Sequence, residues 1–148
     1  MSDTLIALSV VISMMEPSVL SEVQTDKEHE CLARTVYHEA RGESIKGKVA
    51  VAYTIITRAK KKHLNASEWC TTLRAPGQYQ WAKEYESLAP MNEKDKLIAY
   101  QVAYSVAYGK VKDPTNGAIY FYNPDKSVSV FHEKQKYLLT IGGHRFFK

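Results

Sequence analysis

Residues 31–43 read CLARTVYHEARGE, and this stretch decides the fold. Leu32, Val36 and Tyr37 recur at helical spacing and Gly42 is a natural stop, which predicts a helix running from about Asp26 to Gly42. Thr25 or Asp26 can cap it, with Glu28 in the first turn, where a carboxylate suits the helix dipole. Downstream, the spacing predicts a second helix over 45–62, with Val49, Ala52, Tyr53 and Ile56 on one face. Lys60, Lys61 and Lys62 close it, and they read as a solvated helix end rather than a binding patch. Ser67 looks like the cap of a short helix reaching about Leu73, and Pro76-Gly77 then breaks the chain. A third long helix is expected at 93–108, where Leu97, Ile98, Val102, Tyr104 (or Ala103) and Ala107 repeat before Gly109.

Beyond Pro114 the texture changes. Ala118–Tyr122 and Val128–Phe131 are rich in β-branched and aromatic residues, with Asn123-Pro124-Asp125 as the turn between them. Leu138–Ile141, Gly142-Gly143 and His144–Phe147 read as a terminal extended segment or hairpin. Helices first and a short antiparallel β element last give an α+β domain, assigned to residues 26–148. Residues 1–25 stand apart. The apolar run 5–15 is too short to span a membrane and fits either a signal-like core or a helix that packs on the domain.

The whole chain has 148 residues, room for one ordinary domain, and its 45% hydrophobic and 24% charged content is that of a soluble globular protein. A formal charge of +4 favours polyanions, whether nucleic acid, anionic membrane or a bacterial envelope. Two cysteines, Cys31 and Cys70, allow one disulfide or two free thiols and exclude a four-cysteine zinc site.

The densest cluster of reactive groups is Tyr37-His38-Glu39-Ala40-Arg41-Gly42-Glu43. A helix C-terminus disfavours a carboxylate, so burial there would raise its pKa and keep it protonated, as a general acid requires. Glu39 and Glu43 share a side if the helix persists that far. The plainer alternative is a surface helix end with Arg41 paired to Glu43. His38-Glu39 does not open a zinc-protease HExxH motif, because Gly42 occupies the second histidine position. His29, His63, His132 and His144 have no ligand-like spacing, so no metal and no cofactor is expected. Two further clusters suit sugars: Gln78, Tyr79, Gln80 and Trp81 after the sharp turn, and Tyr120–Asn123, whose alternate aromatics share a face of a strand.

Together these blocks resemble the spore cortex-lytic (SleB/CwlJ) family of cell-wall hydrolases. The matching segments are CLARTVYHEARGE at 31–43, GKVAVAYTIITRAK at 47–60, PGQYQW at 76–81, IYFYNP at 119–124 and IGGHRFF at 141–147. They follow the family's order and spacing across about four-fifths of the chain. The resemblance implies a compact lysozyme-like domain with a glycan cleft and Glu39 as the catalytic glutamate. It further implies Gln78, Tyr79 and Trp81 as sugar contacts, Tyr122, Asn123 and His144 along the cleft or its wall, and a Cys31–Cys70 disulfide. Glu43 and Arg41 are assigned to structure beside the site. With only a short apolar start before it, such a domain resembles a phage endolysin or a small envelope enzyme.

The reaction so implied is cleavage of the β-1,4 bond between N-acetylmuramic acid and N-acetylglucosamine. Most glycosidases need two carboxylates, and only Glu39 maps onto the motif, which favours a lytic transglycosylase forming 1,6-anhydro ends. A muramidase-type hydrolase, a non-catalytic glycan-binding protein and a nucleic-acid-binding module are the alternatives. The expected partner is the peptidoglycan strand, bound by a monomer at the cell envelope, with neither nucleic acid nor a membrane span involved.

Overall fold

The computed structural model describes residues 27–62, 69–70 and 92–148. The N-terminal apolar segment, the Gln78, Tyr79 and Trp81 contacts, and all of the 67–73 helix except Trp69 and Cys70 lie outside the described residues.

Helix α1 spans Lys27–Ala40 and ends two residues before Gly42. It therefore does not persist to Glu43, whose backbone N–H closes the turn on Ala40 O at 2.9 Å. Ser44 then caps helix α2, Ile45–Lys61, by accepting from Gly47 N at 3.1 Å. Its last turn carries Arg58, Lys60 and Lys61, and Lys60, Lys61 and Lys62 are all exposed, as a solvated helix end should be. Helix α3, Glu93–Ala107, is capped by Asn92 and stops before Gly109, whose φ of 66° suits glycine at a helix C-terminus.

The three long helices pack on one another, and α2 also touches the sheet. That position explains one departure from the expected pattern. Instead of a single apolar face, α2 is buried continuously from Gly47 to Ala52, because it has neighbours on every side. Leu32, Val36, Val49, Ile55, Val102 and Phe146 are fully enclosed in the shared core. Among described residues, no helix is long and apolar enough to cross a membrane.

Strands β1 (Tyr120–Tyr122), β2 (Tyr137–Ile141) and β3 (His144–Phe147) form an antiparallel sheet in the order β1-β3-β2. Gly142-Gly143 joins β2 to β3 as a hairpin, with Gly142 at φ 56°. The strand expected over 128–131 is not there: Val130–Glu133 forms one turn of helix, α4, despite its β-branched and aromatic composition. Ser129 decides the matter locally, since its hydroxyl accepts from His132 N at 3.2 Å and caps the turn. Phe131 and His132 then pack on the Tyr120 ring, contacts that a one-turn helix satisfies and a solvent-facing strand would lose.

Cys31 and Cys70 are joined by a disulfide, with Cα atoms 5.4 Å apart. Glu28 accepts from Cys70 N at 2.8 Å beside it.

Candidate active site

Glu39 sits on the last turn of α1, three and four residues after Val36 and Thr35, both of which are fully buried. Helical spacing thus places a carboxylate on the apolar stripe at the helix end, where it is half-buried rather than solvated. The carbonyl end of the dipole adds its own unfavourable field there.

The neighbours of Glu39 are tied down on both sides. The Tyr37 hydroxyl accepts from Arg41 Nη1 and from Asn92 N, each at 2.9 Å, which links the end of α1 to the start of α3. The Arg41 guanidinium also lies over the Tyr37 ring, 5.0 Å from its centroid. Arg41 is therefore paired with Tyr37 and not with Glu43. Burial, with Arg34 and Arg41 nearby, lowers the His38 pKa.

Glu43 turns the other way. Its Oε1 accepts from Gly143 N at 2.9 Å, across a sequence gap of 100 residues, and so joins the α1–α2 corner to the β2–β3 hairpin. A Cβ on Gly142 would fall on Glu43 Oε1, and one on Gly143 would stand 3.3 Å from Glu43 Oε2 and 3.1 Å from Asn123 Nδ2. Two consecutive glycines are what let the hairpin approach this carboxylate. The Lys48 ammonium donates to the Glu43 carbonyl from the first turn of α2 and is only 7% exposed. Burial pushes the Lys48 pKa down, against the opposing pull of Asp95 and Glu43.

The residues expected to line a common wall are divided between the two faces of the sheet. Phe121, His144 and Phe146 face inward, with the His144 ring edge-on to Phe121 at 5.2 Å. At 3% exposure His144 offers no surface to a sugar, and Nδ1 has no hydrogen-bond partner among described residues. Burial lowers its pKa, with Glu43 pulling up and Lys126 down. Tyr122 is two-residue periodic with Tyr120 and pairs with Arg145 on the opposite, outer face, where its hydroxyl donates to Glu133. Asn123 follows at the end of β1, its amide beside Gly143 and its Oδ1 accepting from Asp125 N at 2.9 Å. The structure thus gathers Glu43, Asn123, Gly143 and His144 at one corner with Glu39 four residues upstream, and puts Tyr122 across the sheet.

Lys48 went unnoticed in the sequence, although a signal was present: it falls on the stripe Ile45, Lys48, Ala52, Ile55, where a cation needs a buried acceptor. No group of three or more metal-ligating side chains occurs among described residues.

A model of the cell wall hydrolase family matches residues 42–147, a segment that begins three residues after Glu39. The spore cortex-lytic enzyme of Oceanobacillus iheyensis is 30% identical over 121 residues, covering 79% of this chain and 40% of that protein. Its counterpart from Halalkalibacterium halodurans is 30% identical over 128 residues, covering 82% and 35%. The chain therefore spans well under half the length of these curated relatives. Among solved structures, the catalytic domain of the germination-specific lytic transglycosylase SleB from Bacillus anthracis superposes with a TM-score of 0.65 at 27% identity, covering 82% of this chain and 93% of that one. The catalytic domain of Bacillus cereus SleB gives 0.58 at 28% identity, covering 82% and 89%.

Proposed function

The chain belongs to the cell wall hydrolase family, and from that premise we propose that it cleaves the β-1,4 bond between N-acetylmuramic acid and N-acetylglucosamine as a lytic transglycosylase. The observation that carries the reading is the division of labour between two glutamates. Glu43 is spent on the Gly143 amide, which leaves Glu39 as the acid of this corner and gives it no carboxylate partner by motif. A hydrolase of the usual kind needs two carboxylates flanking the sugar. One suffices when the substrate supplies its own nucleophile.

In the proposed reaction Glu39 donates its proton to the glycosidic oxygen as the bond from that oxygen to the muramoyl C1 breaks. The muramoyl 6-hydroxyl oxygen then bonds to C1, and its proton passes back to the Glu39 carboxylate. No water is consumed, and the enzyme ends protonated as it began. Asn123, at the same corner, and the Gln78, Tyr79 and Trp81 segment are proposed to orient the strand, since orientation contributes several kcal/mol to such barriers. Tyr122, on the outer face, is proposed to meet a neighbouring stretch of peptidoglycan rather than the strand at Glu39, and His144 to back the hairpin from within.

The likeness to the catalytic domain of a lytic transglycosylase supports the outcome, and the Cys31–Cys70 disulfide suits work in an oxidising envelope. Export or release as a phage endolysin would both deliver the protein there, acting as a monomer on peptidoglycan. The test is digestion of purified peptidoglycan in heavy-oxygen water. Terminal muramic residues one water lighter and free of label are expected, and Glu39→Gln should abolish their release while the melting temperature holds. Label at the cleaved ends would exclude the transglycosylase and leave Glu39 as the acid of a hydrolase. Activity above about a tenth of the parent's in Glu39→Gln, roughly a 1.4 kcal/mol effect, would remove Glu39 from the role.

A further inference from the structure

The outer face of the sheet carries chemistry that the corner around Glu39 does not use. Tyr137 is 47% exposed and Phe131 is 53% exposed, both large rings left open to solvent by a fold that encloses every other phenylalanine. Between them lies an ordered polar group. The Arg145 guanidinium stacks over the Tyr137 ring at 4.9 Å and reaches Glu133 at 3.4 Å, and Glu133 in turn accepts from the Tyr122 hydroxyl. Tyr137 is itself oriented by a 2.8 Å hydrogen bond between its hydroxyl and Thr140. Rings, guanidinium and carboxylate are therefore held in place before any ligand arrives, which lowers the entropy lost on binding.

The charge around this face points to the occupant. Lys134 and Lys136, both exposed, are the sequence neighbours of Glu133 and Tyr137, so the chain that carries this face is basic beside its rings. Exposed rings beside a paired guanidinium and carboxylate suit a polymer that offers pyranose faces, hydroxyls and dispersed carboxylates together. Purely apolar partners would leave Arg145 and Glu133 desolvated.

We propose that the outer face of the β1-β3-β2 sheet, centred on Tyr137, Phe131 and Arg145, is a second binding surface for peptidoglycan, separate from the corner that holds Glu39. It rests on the reading of the substrate given above and adds a second point of attachment. His144 and Tyr122 lie on opposite faces of the same sheet, so a strand at the Glu39 corner and a strand on this face are different stretches of the polymer. In an insoluble, multi-stranded substrate the second contact keeps the enzyme on the wall between cleavage events, because rebinding becomes a local event at high effective concentration.

The experiment uses the full chain carrying Glu39→Gln, so that binding is read without cleavage, and measures co-sedimentation with purified insoluble peptidoglycan at physiological salt. Adding Tyr137→Ser or Phe131→Ser, each exposed and each checked for an unchanged thermal melt, should reduce the bound fraction by about fivefold to tenfold, as truncating a central aromatic contact does. Undiminished binding of both variants would overturn the proposal. So would binding to duplex DNA or to anionic phospholipid vesicles as tight as to peptidoglycan, since the surface would then be a general polyanion site. Persistent lysis by Glu39→Gln alone would count against the catalytic assignment and leave this binding result standing.

Discussion

Replacing Gly142 by alanine tests the coupling between the α1–α2 corner and the hairpin. Two separate penalties are expected. The backbone at Gly142 has φ 56°, a left-handed conformation that disfavours a side chain by roughly 1–2 kcal/mol. The new methyl would also fall on Glu43 Oε1 and displace the carboxylate from the Gly143 amide, a charge-assisted hydrogen bond contributing about 1.5–3 kcal/mol. The sum is about 2.5–5 kcal/mol, a large part of the stability of an ordinary domain. It corresponds to a fall in melting temperature of about 10–20 °C. Urea unfolding of a double-mutant cycle with Glu43→Ala separates the parts. In the alanine background the clash is gone and only the backbone strain should remain. Equal penalties in both backgrounds, within about 0.5 kcal/mol, would show that Gly142 and Glu43 do not act on each other, and the clamp would have to be abandoned.

Two further outcomes follow from the geometry. Reducing Cys31–Cys70, or replacing both by serine, should lower stability by roughly 4 kcal/mol, the chain-entropy value for a loop of 39 residues, and a melt insensitive to reductant would contradict it. His38, His132 and His144 are each held below their ordinary value of 6.5, mainly by burial, so the unfolded chain binds protons more readily than the folded one. Stability should therefore be fully present above pH 6.5 and fall as the pH drops below it, with His144→Gln flattening the slope; a profile level from pH 7.5 to 5 would exclude the effect.

The parts of this fold that could be read in sequence are those governed by neighbours a few residues away. The spans of α2 and α3 follow from apolar periodicity, with Gly109 as the stop after α3, and the hairpin from Gly142-Gly143 between two β-rich runs. Composition misled at 128–131, where a single serine cap and the rings of a strand ten residues upstream outweigh β propensity. The partner of Glu43 was beyond reach because it is a backbone amide 100 residues away. The division of Tyr122 from His144 has a different origin. Period-two alternation is visible in each strand, but which face of one matches which face of the other depends on register, and Tyr122↔Arg145 is the pair that settles it.

The same corner of the fold holds Glu39, the proposed acid. A proton donor is effective only when it is held within a fraction of an ångström of its working geometry. Glu39 has no rigid element beyond it, since α1 ends at the next residue, Ala40. The corner around it is fixed by ties on either side. Tyr37, two residues before it, is bound to Arg41 and to the start of α3. Glu43, four residues after it, is bound through its carbonyl to Lys48 and through its carboxylate to Gly143. These ties draw on α2, α3 and the hairpin, so every major packing unit among the described residues contributes to holding one short corner. A loss in any of them would be felt at Glu39 before it was felt in the core, where Leu32, Val36 and Ile55 remain enclosed regardless. Activity should therefore be the more sensitive reporter, declining in Lys48 or Glu43 variants that still unfold cooperatively.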